Sequence, residues 1–269
     1  MSWMKNGLLP YLVLAGLLLA VAVFAPFLTP MDPYEQNLAI ALAPPDATHL
    51  LGTDRYGRDL LSRVIMGSQT TLCASLGLLV FISVFGSLIG VLCGYHGGRL
   101  DTVLMRISDV FLAFPEMVFA IAVAGALGGG LTSAAFALAL IGWPKYARVA
   151  RGLVLPMRTA PFIEAARMAG LGTPRILFDH VVPNIAGPVL VTAALNVGTI
   201  IMELAGLSFL GLGAMPPTAE WGAMMNNGRS MLQTAPWVIL APGVAIFLAV
   251  AVFNLLGDKL RDVLDVRSK

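Results

Sequence analysis

Apolar residues run through this chain in six long blocks separated by shorter polar stretches. A helix that spans a bilayer needs about 20 apolar residues. The blocks are Leu8 to Leu28, Leu72 to Tyr95, Val110 to Leu127, Leu131 to Trp143 continuing toward Val154, Val189 to Leu212, and Trp237 to Leu256. The pattern predicts an all-α, polytopic membrane protein with six transmembrane helices. The second block carries no charge, the third is interrupted by Pro115 and Glu116, and the fifth holds one acid, Glu203. Lys145, Arg148 and Arg151 trail the fourth. The string GALGGGLTS between the third and fourth blocks reads as a short turn. The expected organisation is an N-terminal transmembrane helix over 1–28, a loop over 29–70, and a core over 71–269. That core contains five helices, a link at about 155–187 and a tail at 257–269. Lys5 precedes the first block, but its apolar core is long and no A-x-A site closes it, so it reads as a retained helix.

Composition agrees. Of 269 residues, 58% are hydrophobic and 12% charged, and the mean hydropathy is +0.83. A soluble domain carries about 25% charged residues, so this chain cannot cover a water-facing surface. A net charge of +2 is too small to point to nucleic acid. Cys73 and Cys93 lie too far apart on one helix to bond and read as small apolar residues.

Lys and Arg set the orientation. Lys145, Arg148, Arg151, Arg158, Arg167 and Arg175 flank or fill the fourth-to-fifth link. Lys259, Arg261, Arg267 and Lys269 lie in the tail, and Arg99 and Arg106 in the second-to-third link. With six spans these share one side, expected to be the cytoplasm, together with the N-terminus. The 29–70 loop and the loop around 214–236 face the other side. In the first of these, Asp54, Arg55, Arg58 and Asp59 alternate in charge. They are expected to pair with one another or with a partner chain at the outer mouth, as exposed pairs worth about 0–1 kcal/mol. Gly86, Gly90 and Gly94 recur every fourth residue, a small face that lets helices approach closely.

Several chemistries are missing. No GxxxxGK[ST] string occurs, so the chain itself does not cradle ATP. His49, His96 and His180 stand in separate loops without metal-ligand spacing. No nucleophile constellation is visible. Glu116 and Glu203 are intramembrane acids, costly to bury and therefore candidates for a translocation path. If they line a pore, both face a cationic substrate.

The link FIEAARMAGLGTPRILFDHVVPNI is the most polar stretch of the second half. Pro161 suits a helix start and Glu164 its first turn. Ala165, Ala166 and Ala169 keep one face slim, Gly170 and Gly172 break the helix, Pro174 starts a second, and Pro183 is expected to end it. Two short helices with a slim face suit a knob that docks in a partner's groove.

EAARMAG followed by VVPN resembles the EAA loop of ABC importer permeases. LGTDRYGRDLLSRV, GGRLDTVLMRISDVFLAFP, GLSFLGLG, PPTAEWGAM and FNLLGDKLRDVLD resemble the dipeptide, oligopeptide and nickel permeases, specifically their C-type second permease. The likeness runs from about residue 50 to 265. It implies a type I ABC importer permease fold and a non-catalytic translocation subunit in a bacterial inner membrane. It also implies a homologous permease as heterodimer partner, two ATPase subunits that hold ATP and Mg, and an extracytoplasmic binding protein. Glu164, Ala165, Ala166, Gly170 and Pro183 match the ATPase-coupling motif. The chain departs from the family at Val182, where Leu is usual, and at Val266, where Pro is common. PPTAEWGAM resembles the nickel branch, whereas Glu203 before LAGLSFLGLG resembles the peptide branch. The rival readings are a secondary transporter or channel, which needs internal symmetry, and a membrane-embedded enzyme, which needs a reactive cluster.

Overall fold

The longest element begins where hydropathy alone would not place it. In the computed structural model, which describes residues 2–265, α3 spans Leu60–His96 rather than starting near Leu72. Asp59 caps it by accepting the Ser62 amide at 2.8 Å, which satisfies one of the free donors of the first turn. Its 37 residues rise about 55 Å, well beyond a hydrocarbon core of about 30 Å. The polar first turns therefore stand clear of the apolar zone.

The other elements follow in order: α1 (Ser2–Val23), the single turn α2 (Ala25–Leu28), then after α3 come α4 (Gly98–Leu112), α5 (Glu116–Ala126) and α6 (Leu131–Met157). The short α7 (Pro161–Met168) and α8 (Thr173–Ile176) precede α9 (Val182–Phe209), α10 (Trp221–Gly228) and α11 (Trp237–Asp265). Among the described residues there is no strand beyond an isolated bridge between Thr53 and Asp59. Leu60–His96, Thr173–Phe209 and Trp237–Val263 are each long and apolar enough to cross a membrane. Gly7–Val23 is a shorter apolar helix, and α6 carries three cations in its second half.

The expected third span is broken. α4 and α5 meet at 90° around Ala113–Pro115, and together they qualify as one bent span. Pro115 lacks an amide and disfavours helix in the residue before it. Two ion pairs tie α4 to α6: Arg151 grips Asp101 through two nitrogens at 2.5 and 2.7 Å, and Arg148 pairs with Asp109. α5 alone, at 11 residues, rises only about 16 Å.

Pro183 does not end a helix, contrary to the sequence expectation. A wide π turn over Leu177–Val181, with the Val182 amide bonded to the Leu177 carbonyl, precedes it. Pro183 then sits in the first turn of α9, where its missing amide costs little. The link thus runs without a break into the fifth apolar helix.

The core centres on α3 and α6. A Cβ on Gly86 would lie 2.3 Å from the Trp143 carbonyl oxygen, and one on Gly90 2.2 Å from that of Ala147. The glycine face is therefore a backbone-to-backbone contact. α9 and α11 pack beside it, and Ile201, Leu204, Leu207 and Ala249 are fully buried. Cys73 is exposed and Cys93 buried, both free and both on α3. Val266, Arg267 and Lys269 fall outside the described residues.

Candidate functional site

At the end of the bundle where α3 finishes, the link between α6 and α9 folds into an elbow. Pro161 opens α7, Glu164 lies in its first turn and Arg167 in its last, each placed to favour the helix dipole. Ile163 and Ala166 turn inward. They pack with Val91 and Tyr95 of α3, Ala150 and Val154 of α6, and Ile176, Val181 and Ile185. Arg167 adds a second tie: its Nε donates to the Tyr95 hydroxyl at 3.3 Å, and its guanidinium lies 5.2 Å from the ring centre. The slim face expected from Ala165 and Ala166 together is therefore divided. Ala166 is seated on its own chain. Ala165 points out beside Phe162 and Met168, the last 90% exposed. Gly170 turns the chain at φ +80°, where an L side chain would be strained.

Inside the bundle, the two acids come into one neighbourhood with polar groups the sequence did not single out together. Glu116 opens α5, Glu203 lies on α9, and both are within electrostatic reach of Lys145 on α6. Lys145 Nζ donates to Asn196 Oδ1, and Asn196 Nδ2 donates to the Thr192 carbonyl. Glu116, Lys145 and Arg148 border a cleft of about 520 Å³ whose other walls are Phe111, Leu112, Phe114 and Ile141. Glu203 Oε2 is buried and has no hydrogen-bond partner among the described residues.

At the opposite end, GTDRYGRD forms a tight turn over the start of α3. Three of its four charges, Asp54, Arg58 and Asp59, are buried, not exposed as the sequence led one to expect, and Arg55 is partly buried. Asp54, Arg58, Asp59 and Arg63 are each at most 6% exposed. Arg58 contacts Asp54 Oδ2 through Nε at 2.7 Å and through its terminal nitrogen at 2.6 Å. Arg63 Nε approaches the same oxygen at 3.5 Å and donates from its terminal nitrogen to the Pro33 carbonyl. Asp59 accepts from the Ser62 amide and hydroxyl and meets His49 Nδ1 at 3.0 Å. Arg55 reaches across to Asn227 Oδ1 at 3.0 Å, and both Arg55 and Arg58 lie over the Tyr56 ring. The turn closes through Gly57 at φ +70°, where a Cβ would strike the Asn37 carbonyl.

The sequence reading passed over the group that ties α10 to this end. Glu220 is fully buried and caps α10, accepting the Gly222 and Ala223 amides at 3.0 and 2.8 Å and the Thr71 hydroxyl at 3.1 Å. Trp221 donates its indole N–H to the Val64 carbonyl at 2.9 Å. Burial pushes the Glu220 carboxyl above its usual range, against the pull of those amides. The available signal was an acid directly before an aromatic residue in PPTAEWGAM. Its partner, Thr71, stands 149 residues away.

Comparison with known proteins fits this geometry. Residues 86–269 match the family described as "Binding-protein-dependent transport system inner membrane component". The dipeptide transport system permease protein of Alkalihalophilus pseudofirmus is 40% identical over 258 residues, covering 96% of this chain and 85% of the relative. The nickel transport system permease protein of Escherichia coli K12 is also 40% identical, covering 94% and 92%. The glutathione transport system permease protein of Pectobacterium atrosepticum is 41% identical, covering 94% and 84%. A chain of the methionine ABC transporter MetNI, solved in inward-facing conformations, superposes with a TM-score of 0.60 at 20% identity, over 76% of this chain and 97% of that one.

Proposed function

This chain belongs to the binding-protein-dependent transport system inner membrane components, the permeases of ABC importers, and from that premise we propose how it works. It forms half of a translocation path for small peptides or for nickel chelates, beside a homologous permease. Two ATPase subunits, which hold ATP and Mg, bind at the elbow, and an extracytoplasmic binding protein lands over the 29–59 turn and α10. The elbow, the N-terminus and the C-terminus are cytoplasmic. This orientation has a basis in the cations. Arg58 and Arg63 at the capped end are buried against Asp54, so they add no free positive charge. Arg106 at the elbow end is 81% exposed.

The observation that carries the reading is the two-faced α7. Its inner face is fastened to α3 and α6 by Ile163, Ala166 and Arg167. Its outer face, with Phe162, Ala165 and Met168, is exposed. A push on α7 is therefore passed to the helices that carry the core. Equal identity to peptide and nickel relatives leaves the cargo to direct assay. Cells lacking this chain, supplied with wild type, should gain ATP-dependent uptake of labelled dipeptide or of labelled nickel. Uptake of neither, with the full set of partners present, would overturn the importer reading.

A further inference from the structure

We propose that the cleft between α4, α5 and α6, together with Glu203 on α9, is a binding site for a small zwitterion. In this site the permease itself holds the ammonium and the carboxylate of the passing cargo. The inference rests on the importer reading and adds a recognition step inside this chain.

The charges divide along the strip. Arg148 and Lys145 lie one turn apart on α6, with Glu116 facing Lys145 across the cleft. Asn196, which holds Lys145, and Glu203 are seven residues apart on α9. Two turns of helix put them on one face, about 10 Å apart along the axis. Arg148 thus marks one end of the strip and Glu203 the other, with Lys145 and Glu116 facing each other between them.

The partners of these groups are unequal. Arg148 already has Asp109, and Lys145 has only the neutral Asn196. Glu116 accepts no hydrogen bond among the described residues, and Glu203 Oε2 is buried with none. An unsatisfied carboxylate at membrane depth is expensive, so a protein keeps one where something arrives to satisfy it. An organic ammonium does so with three donors. Among the described residues, no group of three His, Cys, Asp or Glu side chains is placed to hold a metal ion. A carboxylate at the other end of the same molecule meets Lys145, and Arg148 when it lets go of the exposed Asp109. Phe111 and Phe114 supply an apolar wall for a side chain between them.

The test uses the full complex of this chain, its partner permease, the ATPases and the binding protein, reconstituted in proteoliposomes. The probe is labelled alanyl-phenylalanine, loaded to saturation on the binding protein, and the readout is dipeptide imported per ATP hydrolysed. Glu203→Gln and Glu116→Gln keep shape and remove charge. Each is first checked for assembly by size-exclusion chromatography. A charged hydrogen bond lost at the cargo should lower the ratio about tenfold in each, and Glu203→Asp should recover most of it. Wild-type ratios in both assembled Gln variants overturn the site and leave the importer reading standing. If neither Gln variant assembles, Glu203→Asp is read alone: assembly with most of the wild-type ratio supports the site, and failure of that variant to assemble overturns it in favour of a structural role. A wild-type complex that imports no dipeptide overturns the choice of cargo and the site with it.

Discussion

Single side chains at the capped end are priced by their burial. Arg58 and Asp54 are both nearly inaccessible and share two contacts under 3 Å. Removing one member of such a pair strands the other in a medium that cannot hydrate it, at a cost of about 3–5 kcal/mol. Arg58→Ala should therefore lower the melting temperature of the purified protein clearly, and added salt should not mask the loss. A cost below about 1 kcal/mol would mean the pair behaves as a surface pair. Glu220 gives a pH signature. Burial raises its carboxyl above the ordinary 4.5, so the folded chain keeps a proton that the unfolded chain releases. The stability due to that proton is complete below about pH 4.5 and is lost as the pH rises through the higher folded value. The melting temperature of wild type relative to Glu220→Gln should fall on raising the pH from 4.5. A pH-independent difference would contradict the assignment. The charges of GTDRYGRD were legible in the sequence, but their burial was not. It depends on Pro33, His49 and Asn227, which only folding brings to them.

At the scale of elements, neighbouring alanines in the elbow face opposite ways. Ala166 is 7% exposed against the α3 and α6 side chains, whereas Ala165 faces out. Ala166→Leu overpacks the chain's own core and should cost about 1–3 kcal/mol in stability. Ala165→Leu should leave the melting temperature unchanged and weaken co-purification of the ATPase. The reverse pattern would show that α7 is rotated from the orientation described. The motif was legible as a helix with a small face. Which alanine faces which way was not, because that depends on where α3 and α6 stand. The early start of α3 was half legible: Asp59 three residues before Ser62 is a capping signal, masked by Arg63 and the polar residues that follow. The 90° bend was announced by Pro115, but the seating of α4 against α6 through Arg148 and Arg151 was not, because those partners lie on another helix. Pro183 misled because a proline in a first turn and a proline after a last turn look alike in sequence. The preceding π turn decides between them.

For the whole molecule, hydropathy gave the membrane class, three helices are each long and apolar enough to span, and the proposed order of ends rests on free charge. In a Cys-free background, an impermeant thiol reagent applied to intact cells should label Ala47→Cys and spare Arg175→Cys, both exposed positions. Labelling only at 175 would invert the orientation. The central claim is that force from ATP enters the bundle through α7. It is tested most directly by ATP hydrolysis of the reconstituted complex, measured with and without loaded binding protein, in wild type and in Gly170→Val. At φ +80° a branched side chain distorts the turn that positions α7. Wild type should hydrolyse ATP faster when loaded binding protein is added, and Gly170→Val, assembled to the same extent, should not respond. Full stimulation in Gly170→Val would contradict the claim that this elbow couples the ATPases to the path.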